Sequence, residues 1–239
     1  MPELSFIVPV YNEAAVLAVT LLGLQRAGRA CGRSFEIIVA DDASTDASPR
    51  LAVQLGARVV RHERRQIAAT RNLGAAAARG RYLIFVDADT IVPASAVRGA
   101  LRGLDAGLVG GGGAFRFDGP RSLRTRCTEA VANLIYRCGR LATGCFIFCR
   151  RDVFKHTGGF DERQFAAEET VLAQALGKHG RVRALPLPTL TSGRKLRTHG
   201  HRELARVLVR GSLRGLAGFQ QREGLELWYG ERREDLASK

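Results

Sequence analysis

Short apolar runs recur along the first half of the chain, and each is followed by a stretch with helical spacing. Four of these runs lie at residues 4–10, 35–40, 57–61 and 82–86. Apolar runs of this length are typical of strands covered on both faces of a parallel sheet. Apolar positions three or four residues apart between the runs predict helices. The alternation predicts an α/β fold, with a doubly wound, mostly parallel, Rossmann-like sheet flanked by helices.

The same patterns continue beyond the fourth strand. Helices are predicted at about residues 12–29, 44–55, 66–80, 93–104 and 166–179, and basic helical spacing runs from 202 to 216. Two further strands are predicted at residues 108–117 and 143–149, with an irregular or helical section between them and a turn at 156–162. No repeat or long linker interrupts the pattern. We therefore predict one continuous domain over residues 1–200, followed by a basic helical C-terminal extension over 201–239.

Polar residues gather at the ends of the predicted strands, where open α/β sheets bind their ligands. The first strand ends at Pro9, Tyr11 and Glu13, the second at Asp41 and Asp42, and the fourth at Asp87 and Asp89. Two carboxylates at a spacing of two point to one side of an extended chain, and a divalent cation relieves their repulsion. Oxygen ligands favour Mg²⁺ or Mn²⁺, whose coordination substrate phosphates commonly complete. This pattern predicts a metal site and a phosphate-bearing substrate.

Simpler interpretations of these residues stay open at this stage. Asp87 and Asp89 could cap the next helix or solvate a turn. Asp42, beside Asp41, could accept hydrogen bonds from a base or a ribose, and Tyr11 offers a ring face for stacking or is an ordinary packed aromatic. The chain contains neither a G-x-x-x-x-G-K-[ST] loop nor a G-x-G-x-x-G motif after its first strand. P-loop nucleotide hydrolysis and dinucleotide-dependent oxidation are therefore not favoured.

The chain has a formal net charge of +14, which attracts nucleic acid, anionic lipid or phosphorylated small molecules. An arginine-rich composition can also reflect a GC-rich genome. Aromatic residues make up only 7% of the chain, which disfavours single-stranded nucleic acid as a partner. No apolar stretch reaches the roughly 20 residues of a membrane-spanning helix, and the N-terminus lacks a basic leader. We expect a cytoplasmic protein whose five cysteines are buried free thiols.

Several motifs taken together resemble the GT-A-fold glycosyltransferases of family 2. They are PVYNEA (9–14), IIVADDASTD (37–46), ATRNLGAAAARGRYLIFVDADT (69–90), GGFDE (158–162) and AAEETVLAQAL (166–176). They occur in the family order over roughly residues 4 to 180. The resemblance implies an enzyme that binds a nucleotide-diphosphate sugar with Mg²⁺ or Mn²⁺ and transfers the sugar with inversion. It also implies a nucleotide-binding half at residues 1–106 and an acceptor half at 107–200.

The resemblance also implies roles for individual residues. The positions that hold the base and ribose are Pro9, Tyr11, Glu13 and Asp42. Asp41, next to Asp42, is a further substrate-binding candidate. Asp87 matches a contact to the ribose or the metal, Asp89 matches the metal ligand of the DXD motif, and Arg71 matches an arginine that faces the nucleotide. Arg71 could instead be a solvated helical arginine.

The acceptor hydroxyl loses a proton as it attacks, so the reaction needs a general base. Glu169 aligns with the second acid of the family's Glu-Asp pair. Because Glu replaces Asp there, either Glu169 or Glu168 could be the base, and both could simply be favoured by the helix dipole. Ala43 is a second departure, at a position where the family commonly has glycine.

The basic stretch TSGRKLRTHG (191–200) is predicted to form a mobile loop that folds over the diphosphate. The candidate contacts in it are Arg194, Lys195, Arg197 and His199. The processive Q-x-x-R-W signature is absent, so a single transfer to a small or lipid-linked acceptor is expected. The basic C-terminal segment would then bind peripherally to the inner face of a membrane.

Two other functions are compatible with the same residues. One is a catalytically silent protein of this fold that binds a sugar nucleotide or a partner, which the acids at positions 89 and 169 disfavour. The other is nucleotidyl transfer, for which the Gly-rich basic loop after the first strand is missing.

Overall fold

The computed structural model describes residues 1–119, 123–138, 144–194, 219–223 and 225. The strands are β1 (Leu4–Val10), β2 (Phe35–Asp42), β3 (Arg58–His62), β4 (Tyr82–Val86), β5 (Thr90–Ile91), β6 (Leu108–Phe117), β7 (Phe146–Arg150) and β8 (Arg181–Thr191). The helices are α1 (Ala14–Ala30), α2 (Ser48–Gln54), α3 (Ile67–Ala77), α4 (Ala94–Asp105), α5 (Leu123–Cys138), α6 (Arg151–His156) and α7 (Glu168–Gly177).

These strands form one eight-stranded sheet in the order β3-β2-β1-β4-β7-β6-β8-β5. The first four strands are mutually parallel. β7 runs antiparallel to both β4 and β6, β8 is parallel to β6, and β5 is antiparallel to β8. The predicted α/β class, with a mostly parallel sheet flanked by helices, is confirmed.

Each central strand contributes side chains to two cores, one on each face of the sheet. In β4, Ile84 and Val86 face the core that contains α1 and α4, whereas Leu83 and Phe85 face the core that contains α3 and α7. All five residues of β4 are buried, as expected for a strand covered on both sides. The uninterrupted apolar runs of the sequence therefore reflect burial on both faces.

The glycine run at residues 110–113 belongs to β6, which lies between β7 and β8. A Cβ on Gly111 would lie 2.0 Å from the carbonyl oxygen of Arg183 in β8. A side chain at that position would push the two strands apart. The prediction of a close-packed strand at residues 108–117 is confirmed with the same bounds.

Several predicted boundaries were wrong. Helix α2 begins at Ser48, two residues after the predicted cap at residues 44–46, and Asp46 accepts the amide hydrogen of Ser48 at 2.9 Å. Ser44 and Asp46 also accept hydrogen bonds from the backbone of Asn12 and Ala14 in the neighbouring turn. The strand predicted at 143–149 begins at Phe146. Strands β5 and β8 were not predicted, and the predicted turn at 156–162 is preceded by the short helix α6.

The helix predicted at 202–216 lies outside the described residues. Within the part of the chain that the structure describes, no helix has the length and apolar character needed to cross a membrane.

Candidate active site

The carboxyl ends of β2, β1 and β4 meet at one edge of the sheet, as the sequence predicts. Val10, at the end of β1, is in register with Asp41 in β2. Asp87 directly follows β4, which runs parallel to β1. The residues after β1, the Asp41-Asp42 pair and the start of the DXD motif therefore share this edge.

The turns after β1 and β2 are tied together by side-chain hydrogen bonds to backbone. Asn12, at φ 51°, accepts hydrogen bonds at its Oδ1 from the amides of Thr45 (2.8 Å) and Asp46 (3.3 Å). In return, Ser44 Oγ accepts the amide hydrogen of Asn12 at 2.9 Å. This reciprocal arrangement fixes the two turns against each other, so the residues beside them keep a constant spacing.

Asp42 holds the start of α3. Its carboxylate accepts hydrogen bonds from the amides of Arg65 (2.7 Å) and Gln66 (2.8 Å) and from the hydroxyl of Thr70 (2.9 Å). The guanidinium carbon of Arg65 lies 3.3 Å from the centroid of the Tyr11 ring. Tyr11 is thus a partly buried ring with a cation on one face, at the edge where the sequence predicts a nucleotide.

Asp41 is fully buried, and one of its carboxylate oxygens is unused. Its Oδ2 lies 3.3 Å from Nε of Arg61, while Oδ1 has no hydrogen-bond partner among the described residues. A buried carboxylate oxygen without a donor is uncommon in proteins. Asp41 therefore retains an acceptor at the edge to which the sequence assigns the base and ribose.

Arg71, in α3, is the central cation of the site and is only 1% exposed. It donates to Glu168 Oε1 at 2.5 Å from Nη1, and from Nη2 to Asp87 Oδ1 and the carbonyl of Gly144, both at 2.8 Å. Burial alone would lower the pKa of Arg71, but the charges of Asp87, Glu168 and Glu169 outweigh it and the pKa is raised. Arg71 therefore stays charged and joins β4 to the start of α7.

Glu169 differs from its neighbour Glu168. Glu168 is buried in the ion pair with Arg71. Glu169 is partly exposed, and among the described residues it has no ion pair and no hydrogen bond to another side chain. Burial, together with the charge of Glu168, raises the pKa of Glu169 to about 8, although Arg71 opposes the change. The carboxyl group of Glu169 lies 3.7 Å from the point that a Cβ on Gly144 would occupy, next to Arg71.

Glu13 and Arg194 connect the turn after β1 to the residues after β8. Arg194 Nη2 lies 3.3 and 3.4 Å from the two carboxylate oxygens of the buried Glu13. Two residues that the sequence assigned to substrate binding are thus in contact with each other. The other candidates of the basic loop, Lys195, Arg197 and His199, lie outside the described residues.

The end of β4 offers donors that suit a magnesium or manganese ion. Asp87 is 30% exposed, and Arg71 occupies only one of its oxygens. Asp89 is also partly exposed and has a partner of its own. Among the described residues, no three His, Cys, Asp or Glu side chains are placed so that together they could hold a metal ion. Two carboxylates are nevertheless enough for a cation of this kind when phosphate and water complete its coordination, so Asp87 and Asp89 fit such an ion.

Two residues that hold the site together were not predicted. Gln66 accepts from the amide of Ala69 and donates to the carbonyls of Glu162 and Gln164, which precede α7. Asn72 exchanges two hydrogen bonds of 2.9 Å with the backbone of Phe160 in the GGFDE turn. Both residues lie in the motif-bearing stretch around α3, but their partners are about 90 positions away and no local pattern reveals them.

The comparisons with known proteins agree with this geometry. Residues 5–158 match the sequence profile described as Glycosyl transferase family 2. A curated relative, the putative glycosyltransferase EpsH of Bacillus subtilis (strain 168), is 33% identical over 93 residues, which are 37% of this chain and 26% of EpsH. The chain thus aligns with about a quarter of that relative.

Solved structures of similar fold carry sugar nucleotides. The mannosyltransferase PcManGT of Pyrobaculum calidifontis, in complex with GDP-Man and Mn²⁺, has a TM-score of 0.68 and 20% identity. The alignment covers 89% of this chain and 62% of PcManGT. TarS of S. aureus in complex with UDP-GlcNAc has a TM-score of 0.63 and 19% identity, with 80% of this chain and 59% of TarS covered. At these identities, the likeness concerns the fold.

Proposed function

Because the chain belongs to glycosyl transferase family 2, we propose that it transfers a sugar from a nucleotide-diphosphate sugar to an acceptor hydroxyl. The transfer inverts the anomeric carbon and uses Mg²⁺ or Mn²⁺. The observation that carries this proposal is the Arg71 bridge. It brings the acidic end of β4 and the free acid Glu169 to one edge of the sheet.

The donor nucleotide is proposed to bind beyond β1 and β2. Asp41 supplies the unused buried acceptor and Tyr11 a ring face, while Asp42 positions the start of α3 through three hydrogen bonds. Glu13 lies in the turn after β1, whereas Pro9 is buried within β1, one residue before its end. PcManGT and TarS were solved with GDP-Man and UDP-GlcNAc, which supports a sugar nucleotide as the donor.

We assign the divalent cation to Asp87 and Asp89. When bound, it would stabilise as a Lewis acid the negative charge that develops on the departing diphosphate. Arg71 keeps one oxygen of Asp87 fixed at 2.8 Å and leaves the other oxygen available. Arg194, whose guanidinium lies 3.3 Å from Glu13 after β1, is proposed to supply a further positive charge to the diphosphate.

Glu169, rather than Glu168, is proposed as the general base. Glu168 forms a 2.5 Å ion pair with Arg71, and this ion pair stabilises its ionised form and makes it a weaker proton acceptor. Glu169 has no such partner, and its raised pKa makes it a stronger proton acceptor than an ordinary glutamate. In the reaction the acceptor oxygen bonds to the anomeric carbon, the bond from that carbon to the diphosphate oxygen breaks, and the hydroxyl proton moves to Glu169.

Donor turnover in the presence of manganese tests the proposal without knowledge of the acceptor. We expect release of nucleoside diphosphate from UDP- or GDP-sugars by the wild type, and a loss of at least about 100-fold in Glu169→Gln. Glu3→Gln is the matched control, since Glu3 lies at the opposite edge of the sheet in a surface pair with Arg33. Equal rates in wild type and Glu169→Gln would end the catalytic assignment.

The alternative is a catalytically silent protein of the same fold. It predicts that sugar nucleotides stabilise the chain in thermal unfolding but are never cleaved, whichever acceptor is offered. Glu169 is partly exposed and has no ion pair among the described residues, which favours the enzyme, because a silent protein has no need of such a carboxyl group.

The division into a nucleotide half (1–106) and an acceptor half (107–200) also stays a proposal. In the structure the two halves share one sheet, in which β4 of the first half pairs with β7 of the second. A lipid-linked acceptor and binding to the inner face of a membrane are proposals as well.

A further inference from the structure

Helix α5 presents its polar side to the protein. Asn133 accepts from the amide of Phe115 at 3.0 Å and donates to the carbonyl of Phe115 at 2.9 Å. Glu129, one turn earlier, accepts from the amide of Phe117 at 2.7 Å. These side chains satisfy the free edge of β6 beyond the glycine run, where β7 no longer pairs with it. The contacts that dock α5 on the sheet are therefore hydrogen bonds.

The apolar side of α5 faces outward. Leu123, Cys127, Val131 and Leu134 follow one another at spacings of four, four and three, which places them on one helix face. Leu123 is 75% exposed, Val131 57% and Leu134 60%, and Cys127 is exposed too. We call these four residues the α5 stripe. A surface helix normally buries its apolar face, so the inverted arrangement indicates that the stripe is covered by something else.

The charges around the stripe restrict what can cover it. Residues 120–140 contain five arginines and one acid, Glu129, which is turned towards β6. A second copy of the chain would bring an equally basic face against the first. The basic stretch at 195–218, with six basic residues and one acid, would do the same. Both occupants place like charges together, which is unfavourable. Residues 226–239, with four acids and three basic residues, are not excluded by charge, and a stripe covered by them would leave the wild type unable to bind anionic vesicles.

We propose that the α5 stripe docks on the surface of an anionic lipid bilayer. Leu123, Val131 and Leu134 enter the boundary between headgroups and acyl chains, and the neighbouring arginines meet the lipid phosphates. An apolar face flanked by basic residues is the arrangement by which amphipathic helices lie in a membrane interface. This proposal does not depend on the transfer reaction, since it concerns a different surface with its own contacts.

Flotation with vesicles tests the proposal. The full chain is mixed with vesicles of phosphatidylcholine alone or of phosphatidylcholine with phosphatidylglycerol. We expect binding to the anionic vesicles that weakens with salt, and much weaker binding to the neutral ones. The double variant Val131→Gln, Leu134→Gln should bind anionic vesicles about 10- to 100-fold more weakly, because two apolar side chains no longer enter the interface.

Val53→Gln is the matched control, because Val53 is 61% exposed on α2, outside the stripe. It should bind vesicles like the wild type. All three proteins should show the same circular dichroism and, if the transfer proposal holds, the same donor turnover. A defect in vesicle binding at unchanged turnover would thus separate the lipid surface from the active site.

Cys127 provides a second readout that does not depend on flotation. An environment-sensitive fluorophore on this exposed thiol should shift to shorter wavelength when anionic vesicles are added, and the shift should be absent in Cys127→Ser. The proposal is overturned if the wild type does not bind anionic vesicles. It is also overturned if the double variant binds them as tightly as the wild type, or if the wild type is a dimer in solution that the double variant converts to monomers.

Discussion

Arg71 and Glu168 form a buried ion pair, with Nη1 and Oε1 2.5 Å apart, although 97 positions separate the two residues in the chain. The pair joins α3 to the first residue of α7. Since Arg71 also binds Asp87, one guanidinium fixes the end of β4 and the position of Glu169 relative to each other. The organisation of the site and its stability therefore depend on the same side chain.

Replacing Arg71 by methionine should lower the free energy of unfolding by about 3–5 kcal/mol, because Glu168 would be left buried without a countercharge and the partly exposed Asp87 would lose its ion pair. Urea unfolding measures this loss. Arg33→Met is the control, since Arg33 pairs with Glu3 and Asp105 at the surface, and about 1 kcal/mol or less is expected there.

The double variant Arg71→Met, Glu168→Leu tests whether the two charges act as a pair. It should be more stable than Arg71→Met alone, because it removes the buried carboxylate together with its partner. If the loss of unfolding free energy in the double variant equals the sum of the losses in the two single variants, the two side chains are not energetically coupled.

The pH dependence of donor turnover should report Glu169. A general base acts only when deprotonated, and a pKa near 8 keeps Glu169 largely protonated at neutral pH. The value of kcat/KM should therefore rise about tenfold per pH unit below this pKa and level off above it. A cation held by Asp87 and Asp89 would shift the limb to lower pH. A profile that stays flat down to about pH 4, the ordinary pKa of glutamate, would contradict the role of Glu169 as base.

The stability of Glu169→Gln should depend on pH in a defined direction. The folded-state pKa of Glu169, about 8, lies above its ordinary value of 4.5, so the folded protein binds the extra proton. The stability from this group is complete below the lower value and is lost as the pH rises through the upper one. Glutamine does not ionise, so the stability of the variant relative to wild type should increase over this window and then stay constant. A difference that does not vary with pH would refute the raised pKa.

The first half of the fold follows from the sequence because its strands are continuous apolar runs ending in polar residues. β8 was missed because Pro186 and Pro188 interrupt its pattern, and prolines within a run argue against a strand. Here they lie beside the register irregularity between β8 and β6. β5 was missed because two residues carry no periodicity.

The acidic strand ends could be read from the sequence, but their partners could not. The motifs place Arg71 in the site, yet only the structure shows it buried between Asp87 and Glu168. The same contact distinguishes Glu168 from Glu169, which adjacent positions in the sequence do not. These distinctions depend on contacts between distant segments, and the fold alone creates them.

Ala43 offers a stability test of the turn after β2. Its φ is 59°, in the left-handed region that favours glycine. Ala43→Gly should therefore raise the free energy of unfolding by about 0.5–1 kcal/mol, after allowance for the greater entropy of glycine in the unfolded chain. Ala15→Gly, at an exposed position in α1, should lower it by up to about 1 kcal/mol. If both variants lower the free energy of unfolding, the turn at Ala43 is not strained.

The most direct measurement of the central claim is anomalous diffraction from crystals grown with manganese and the nucleoside diphosphate that stabilises the protein most. We expect a manganese peak at the end of β4, coordinated by Asp89 and by the diphosphate, with Asp87 still bound to Arg71. In crystals of Asp89→Asn the peak should be lost, whereas Asp152→Asn, at the opposite edge of the sheet, should retain it. A bound nucleotide with no manganese peak at the end of β4, and with the Asp89 side chain turned away from the nucleotide, would contradict the assignment of the metal site.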